Sequence, residues 1–537
     1  MAAAEHPLWR ALSGLCACLG RPPALPRTPA GCAELLQALV TWAAPGPEPG
    51  GQKQVPARAA AALRASLLLL KAVSEASPGG HVTGARSAKA EQVVKPEGAE
   101  ESGKLLLEAV CEAGEGPTST EEDWCDPILQ GKGEEALLSL AELDVAPSEN
   151  KGAPNSKTAP DLEPVSSTSS GIIDPQCVLH CATAPLLLLC GAHIPDTPWS
   201  NAQSRRLANQ LLRSLLEVSH CTSLAELLKG RQEQPFTTFR EALGLLGPRL
   251  RKDTWESHPE ARLVFSWMLL QVPRPWLSDF LSRVMPPSLL FSDDHKLENK
   301  VLGIHCLHHI IKNVPAAELR QYNRALVVYH ALRNHLYITE AEVLEVVLPC
   351  LRDLFPVLHK PPAAVGAYQK DAENPSDQVV QLVLTHMEME HRIPLRRLYA
   401  RNLPALQNRL GVGIARHMKR LLRVIVGYLE VYDGPEETAR LCILETLQGT
   451  IKYAWPRIPP RLPLLLKSLI KLIYELSSES NQNSGPVTEA LLNGATECLL
   501  LLDNCSKGQV RTALQGVPSV CIEPLLLKCV TRVLENT

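Results

Sequence analysis

Between Phe265 and Tyr337, apolar residues recur every three or four positions in segments that proline interrupts, and this pattern leaves few folds open. Val301, Leu302, Ile304, Cys306, Leu307, Ile310, Ile311 and Val314 trace one helix face; Leu319, Tyr322, Leu326, Tyr329, Leu332 and Leu336 trace another. Proline lacks a backbone N–H and disfavours helix in the residue before it, which predicts joints at Pro273–Pro275, Pro286–Pro287 and Pro315. Helices that each carry one wide apolar face cannot bury those faces singly. They must stack on their neighbours, which is the logic of an α-solenoid.

The signature continues on either side. Ser204–Val218 carries Leu207, Leu211, Leu212, Leu215 and Leu216 at helical spacing. Thr339 with Glu342 reads as a capping box ahead of Val343, Leu344, Val347, Leu348, Leu351 and Leu354. Ser292–Asp293–Asp294 and Asp433–Gly434–Pro435–Glu436 read as two further helix starts, with acidic residues at the positive end and proline in the first turn. Pro459–Leu476, Val487–Leu502 and Pro524–Leu534 complete the series. Helices spaced by roughly 20 residues give helix pairs at roughly 40, the HEAT or armadillo period. Aromatic residues make up only 4% of the chain while leucine and alanine dominate, which suits helix-on-helix packing. The expected fold is therefore all-α, a HEAT/armadillo-like α-solenoid of helix pairs over 166–537.

Two N-terminal regions differ. Residues 1–76 read as about three helices separated by the proline-rich stretches 20–29 and 45–51, the strongest being Ala60–Val73. Residues 77–165 are dominated by Gly, Pro, Ser, Glu and Lys and cannot offset their chain entropy by burial, so a disordered linker is expected, with short helices at 105–110 and 134–143. Its stretch 91–126 is strongly acidic, and Ser119 and Thr120 precede acidic residues as acid-directed phosphorylation sites would.

Composition narrows the function classes. A net charge of −3 argues against a nucleic-acid-binding chain. The sixteen cysteines have no regular metal spacing, and Cys306, Cys350, Cys442 and Cys498 lie in leucine-rich helical pattern, as small buried hydrophobes do. A reduced cytosolic or nuclear compartment is expected. Glu5 and Arg10 count against an N-terminal signal peptide, and the leucine run at 186–189 is far shorter than the roughly 20 residues of a membrane span, so no membrane partner is expected.

Catalytic signatures are scarce. The phosphate-cradling Gly-x4-Gly-Lys-Ser/Thr, the Gly-x-Ser-x-Gly elbow and the two-histidine zinc helix motif do not occur. Gly411–Val412–Gly413 reads as a joint between two helices. His305 and His309 stand one turn apart, a spacing that can hold zinc, but no third ligand is designated. His386 with His391, and Cys177 with His180 and Cys181, are thinner still. No cofactor, metal or catalytic residue is expected.

The densest functional signal is basic. Arg392, Arg396, Arg397, Arg401, Arg409, Arg416, Lys419, Arg420 and Arg423 follow one another with no Asp or Glu between them. Arg416, Arg420 and Arg423 (or Lys419) share a helix face, and arginine-rich faces suit carboxylates and phosphates through bidentate hydrogen bonds. A solvated face, a docking site for an acidic partner (the stretch 91–126 in cis among them), and a nucleic-acid or inositol phosphate site all remain open. Trp, Tyr and Arg supply most interface hot spots, which adds Trp267, Trp276, Tyr322, Tyr329, Tyr399, Tyr428 and Tyr432 as alternatives to core packing. The candidate partner-binding set is Arg396, Arg397, Arg401, Arg416, Lys419, Arg420, Arg423, Tyr428 and Tyr432, on a partner face running from Leu395 onward.

The segments VFSWMLLQVPRPWL, SDDHKLENKVLGIHCLHHIIKNVPAAEL, QYNRALVVYHALRNHLY, RRLYARNLPAL and VIVGYLEVYDGPEETARLCILETL resemble the Tel-two-interacting protein two family. The likeness runs from about Pro198 to about Cys505; the acidic linker departs from the family pattern. The resemblance implies a HEAT-like α-solenoid without catalysis, a scaffold subunit of the Triple T complex. Its implied partners are the other two subunits, the Tel-two protein and Tel-two-interacting protein one. Indirectly it implies phosphatidylinositol-three-kinase-related kinases (PIKKs: mTOR, ATM, ATR and DNA-PK), the heat-shock-protein-ninety chaperone and a RuvB-like ATPase adaptor, and so DNA-damage checkpoint and nutrient signalling. Competing expectations are a stand-alone HEAT-type cargo or transport adaptor and a zinc enzyme built on the histidine clusters.

Overall fold

The structure is a computed structural model that describes residues 7–20, 28–45, 54–76, 174–230, 236–358, 374–478, 483–520 and 523–535. The expected linker 77–165, with its short helices, its acidic stretch 91–126, Ser119 and Thr120, lies outside the described residues. Among those described there is no strand. The chain divides into two compact units, Met1–Val314 and Pro315–Thr537.

The first unit holds α1 (Pro7–Cys18), α2 (Pro29–Ala43), α3 (Val55–Ala76), α4 (Pro175–His193), α5 (Ala202–Val218), α6 (Leu224–Lys229), α7 (Thr237–Leu246), α8 (Pro259–Leu269), α9 (Leu281–Ser292) and α10 (Leu297–Asn313). Its centre is α4, which packs against α2, α3, α5, α7 and α8. By length and composition alone α4 is apolar enough to cross a membrane, but Leu186–Leu189 are buried against these neighbours. The start of α4 is a polar cap followed by proline: Asp174 accepts from the Gln176 N–H, and Pro175 takes the first helical position, where a missing N–H costs nothing. Helices on both sides of the undescribed segment thus share one core. Its aromatic part includes Phe265 and Trp255, both against Phe291, and Phe239 edge-on to Phe280. Trp267 lies over Gly191 of α4, where an added Cβ would sit 2.9 Å from its ring.

The second unit holds α11 (Ala316–Arg320), α12 (Arg324–Asn334), α13 (Ala341–Leu358), α14 (Pro375–Met389), α15 (Ile393–Leu410), α16 (Met418–Leu429), α17 (Thr438–Ala454), α18 (Leu462–Ser477), α19 (Gly485–Cys505), α20 (Gln509–Leu514), α21 (Val517–Val520) and α22 (Pro524–Glu535). Here α13, α15, α17 and α19 lie side by side as one layer, and α14, α16 and α18 as the other. Each helix packs on its sequence neighbour across the layers and on the next helix but one within its layer. Helices α14, α16 and α18 begin at Pro375, Met418 and Leu462, so the repeat is 43 and then 44 residues long. That is the two-layer helix-pair solenoid of HEAT type expected from the spacing.

Local expectations need correction at five places. Pro286 and Pro287 are not a joint: α9 runs through both. The carbonyls left without intrahelical donors belong to the exposed Ser282 and Arg283, where water can serve them, while Val284, Met285, Pro287, Leu289 and Phe291 are buried. The segment after Pro315 is not one helix: Tyr322 and Asn323 adopt left-handed backbone with φ of 53° and 58°, and Tyr322 leaves the apolar face for solvent. Three helix starts also shift. Helix α10 begins at Leu297, with the buried Asp294 accepting from the Asn299 side chain, and α13 begins at Ala341, two residues beyond Thr339. Helix α17 begins at Thr438, so Pro435 lies in the turn before it and not in its first turn; Asp433 caps it from a distance, accepting from the Ala439 N–H at 2.8 Å.

Candidate functional site

The basic run Arg392–Arg423 folds into α15, a tight turn over Gly411–His417, and α16. Gly411 turns the chain with φ of 54°, so this glycine pair is a helix joint. The hairpin separates the candidate residues into two groups with different work.

The first group is structural. Arg396 is 7% exposed and Tyr428 2%; the guanidinium stacks on the ring and donates to the Glu390 carbonyl at 3.3 Å and the Gly427 carbonyl at 3.4 Å. These two candidates are spent inside the unit and offer a partner almost no surface. Burial pushes the Tyr428 phenol up, and the Arg396 charge opposes it. Arg397 donates from Nε to the buried Asp433 carboxylate at 3.2 Å, tying α15 to the joint before α17. Tyr399 is buried, and its hydroxyl lies 3.3 Å from His386 Nδ1; burial pushes the Tyr399 phenol up to about 12. Tyr329 is likewise buried, with its hydroxyl donating to Gln378 Oε1 at 2.9 Å. Arg401 and Tyr432 are exposed.

The second group lines a groove. Arg416, Lys419, Arg420 and Arg423 face α14 across a cleft of about 1060 Å³, with Arg333 and Tyr337 at its margin. Along the α14 wall run Asn374, Asp377, Gln378, Gln381 and Thr385. Asp377 accepts from Arg416 at 2.8 Å and contacts His417 Nε2 at 2.9 Å. Glu388 takes Arg423 at 3.1 Å and Arg420 at 3.4 Å, and Arg420 also donates to the Thr385 hydroxyl. Two carboxylates therefore meet five permanent cations, and Lys419 has no ion pair among the described residues.

A second surface lies at the edge where α14, α16 and α18 end. Met389 is 73% and Tyr432 43% exposed, and Ile393 at the start of α15, Val431 in the joint after α16 and Tyr474 in the last turn of α18 are exposed too. Ion pairs tie these helix ends to one another: Arg397–Asp433, Lys471–Glu430 at 3.4 Å and Arg440–Glu475 at 3.1 Å. At Glu390, burial is outweighed by hydrogen bonds from the Arg392 side chain and from the Arg392 and His391 N–H groups, which hold its carboxyl below the usual range. Sequence reading singled out Tyr432 alone of this edge, because Met389, Tyr432 and Tyr474 lie about forty positions apart and nothing local links them.

Several of the histidine and cysteine candidates are engaged within the chain. His309 Nε2 lies 3.0 Å from the Val272 carbonyl, and burial lowers its pKa. His305 is lowered to about 4 by burial and by His308. His180 faces Glu241 at 3.5 Å, and Cys177 contacts Asp174 at 3.7 Å. Among the described residues no three metal-ligating side chains converge.

A sequence model described as the Tti2 family matches residues 186–434. TELO2-interacting protein 2 of Homo sapiens is 48% identical over 377 residues, covering 69% of this chain and 73% of its own. TELO2-interacting protein 2 of Rattus norvegicus is 48% identical over 355 residues, covering 66% and 69%. Among solved structures, importin beta aligns with 98% of this chain and 70% of its own at 13% identity, with a TM-score of 0.41.

Proposed function

The chain belongs to the Tti2 family, and from that premise we propose that it is a non-catalytic scaffold subunit of the Triple T complex. In this reading it binds TELO2, as the relatives' name says of them, together with Tel-two-interacting protein one. The assembled complex acts as a cochaperone, with the heat-shock-protein-ninety chaperone and a RuvB-like ATPase adaptor, in the stabilisation and assembly of phosphatidylinositol-three-kinase-related kinases. DNA-damage checkpoint and nutrient signalling follow through those kinases.

The observation that carries the reading is the exposed edge of the second unit, Met389, Ile393, Val431, Tyr432 and Tyr474. Exposed large apolar side chains grouped over adjacent joints mark a protein contact, and permanent complexes use large apolar interfaces. A solenoid presents such an edge to a partner without any chemistry of its own. The reading places the chain in the cytosol or nucleus, where thiols such as those of Cys306 and Cys498 stay reduced.

Affinity purification of the intact chain from cells, read by mass spectrometry, tests the proposal. Near-equal recovery of both other subunits, with kinases and chaperone below them, is the expected result. Recovery of neither, with a transported cargo in their place, would replace it by the stand-alone adaptor.

A further inference from the structure

We propose that the groove between α14 and α16 binds an extended, acidic peptide segment of a partner protein. The inference goes beyond the scaffold role and rests on the groove alone.

The α16 wall supplies the charge. Arg420 and Arg423 lie one turn apart on α16, about 4.5 Å along its axis given the helical rise of about 1.5 Å per residue, with Lys419 beside them and Arg416 in the turn just before the helix. An extended peptide places alternate side chains on one face every ~6.5–7 Å, so successive acidic residues on that face fall close to successive guanidinium groups. Each guanidinium carries five N–H donors, and the internal carboxylates use only part of that capacity: Asp377 takes Arg416, and Glu388 is shared between Arg420 and Arg423. These internal pairs hold the arginines in place and leave the groove short of negative charge.

The α14 wall adds a polar side to the groove. Asn374 Oδ1 accepts from the Ser376 N–H, Gln378 Oε1 from the Tyr329 hydroxyl and the Thr385 hydroxyl from Arg420, while the exposed Gln381 amide stands between them on the same wall. Main-chain N–H and C=O groups entering a groove must be hydrogen-bonded there, and side-chain amides both donate and accept. A phosphate-only ligand has no N–H to give the Gln381 amide oxygen, whereas a peptide main chain does, which favours peptide over a small polyanion. A nucleic acid is disfavoured because its continuous phosphate backbone would meet a chain of net charge −3.

The test uses the full chain and a fluorescein-labelled ten-residue peptide alternating Asp and Ser, titrated by anisotropy at low salt, with a Lys–Ser peptide as control. Saturable binding of the acidic peptide alone is expected, weakening as salt rises. Lys419→Glu and Arg423→Glu are each expected to weaken it by about tenfold, the scale of a reversed charge in a partly exposed contact. Lys419→Glu breaks no internal pair, so its melting temperature should match the parent and separate lost binding from lost fold. Equal affinity in parent and both variants overturns the proposal, as does no binding of the peptide at millimolar concentration. Tight, Lys419-dependent binding of inositol hexakisphosphate with no peptide binding would also overturn it. Each result is independent of whether the chain copurifies with the other subunits.

Discussion

The guanidinium of Arg396 lies 3.8 Å from the centroid of the Tyr428 ring, joining α15 to α16 at the root of the exposed edge. The phenol oxygen of Tyr428 is buried and has no hydrogen-bond partner, so the ring, and not the hydroxyl, is what the packing uses. Removing an unpaired buried hydroxyl relieves a desolvation cost. Tyr428→Phe should therefore be neutral or stabilising by up to about 1 kcal/mol. Tyr428→Ala opens a cavity and should cost about 3–5 kcal/mol. Urea unfolding of the two variants checks the pair; a Tyr428→Phe loss as large as that of Tyr428→Ala would mean that the hydroxyl is bonded after all.

Glu437 gives the second unit a particular pH dependence. Burial first, then a hydrogen bond shared with Asp433, push its carboxyl up to about 7, against the pull of Arg440. The folded chain then holds a proton on Glu437 that the unfolded chain releases near 4.5. Between those values the folded state binds more protons, so this group's contribution to stability falls as pH rises from about 4.5 to about 7 and stays low above. Glu437→Gln keeps the neutral form at every pH. It should leave stability near pH 5 almost unchanged and raise it relative to the parent at pH 8. Buried His193 and His305, both lowered to about 4 by burial, act in the opposite direction, so the test is the difference between variant and parent across pH. A pH-independent difference would remove Glu437 from the account.

Gly303 is where α10 meets the end of α9. A Cβ there would collide with the backbone of Ser292 and would sit 2.7 Å from the Phe291 carbonyl carbon. Backbone cannot step aside as a side chain can, so Gly303→Ala should cost about 3 kcal/mol. Gly427 on α16 has nothing within 4 Å of an added Cβ, and Gly427→Ala should gain about 0.4–1 kcal/mol from the lower entropy of the unfolded chain. Thermal melts of the two variants should move in opposite directions.

How much of this was written in the chain depends on distance along it. The helices, their pairing period and Pro315 as a joint follow from neighbours within a few residues, and sequence reading found them. Pro286 and Pro287 misled it because propensity is local, whereas the burial of Val284, Met285, Phe291 and their helix is set by α10. The arginine run was visible, but its division was not. Whether an arginine stacks on Tyr428, grips Asp433 or lines a groove depends on which helix lies opposite, thirty or more residues away. Of the apolar edge only Tyr432 stood out in sequence, as an aromatic candidate; Met389 and Tyr474 look there like any other helix-end residues.

That edge yields the prediction that bears most directly on function. Met389, Tyr432 and Tyr474 are exposed within the unit, so their substitution removes little buried area, and surface changes of this kind usually alter stability by within about 0.5 kcal/mol. At an interface the same side chains would be desolvated, and a central aromatic or methionine commonly contributes about 2 kcal/mol or more to binding. Met389→Glu combined with Tyr432→Glu also places two charges where an apolar partner would have to bury them. The double variant should retain the parent's melting temperature and lose most of its copurifying TELO2 and Tel-two-interacting protein one. The groove variant Lys419→Glu, made in the parent chain, should leave that recovery intact. If the edge variant copurifies as the parent does, the partner surface lies elsewhere on the chain; if it melts early, Met389 and Tyr432 serve the fold and the edge is not an interface.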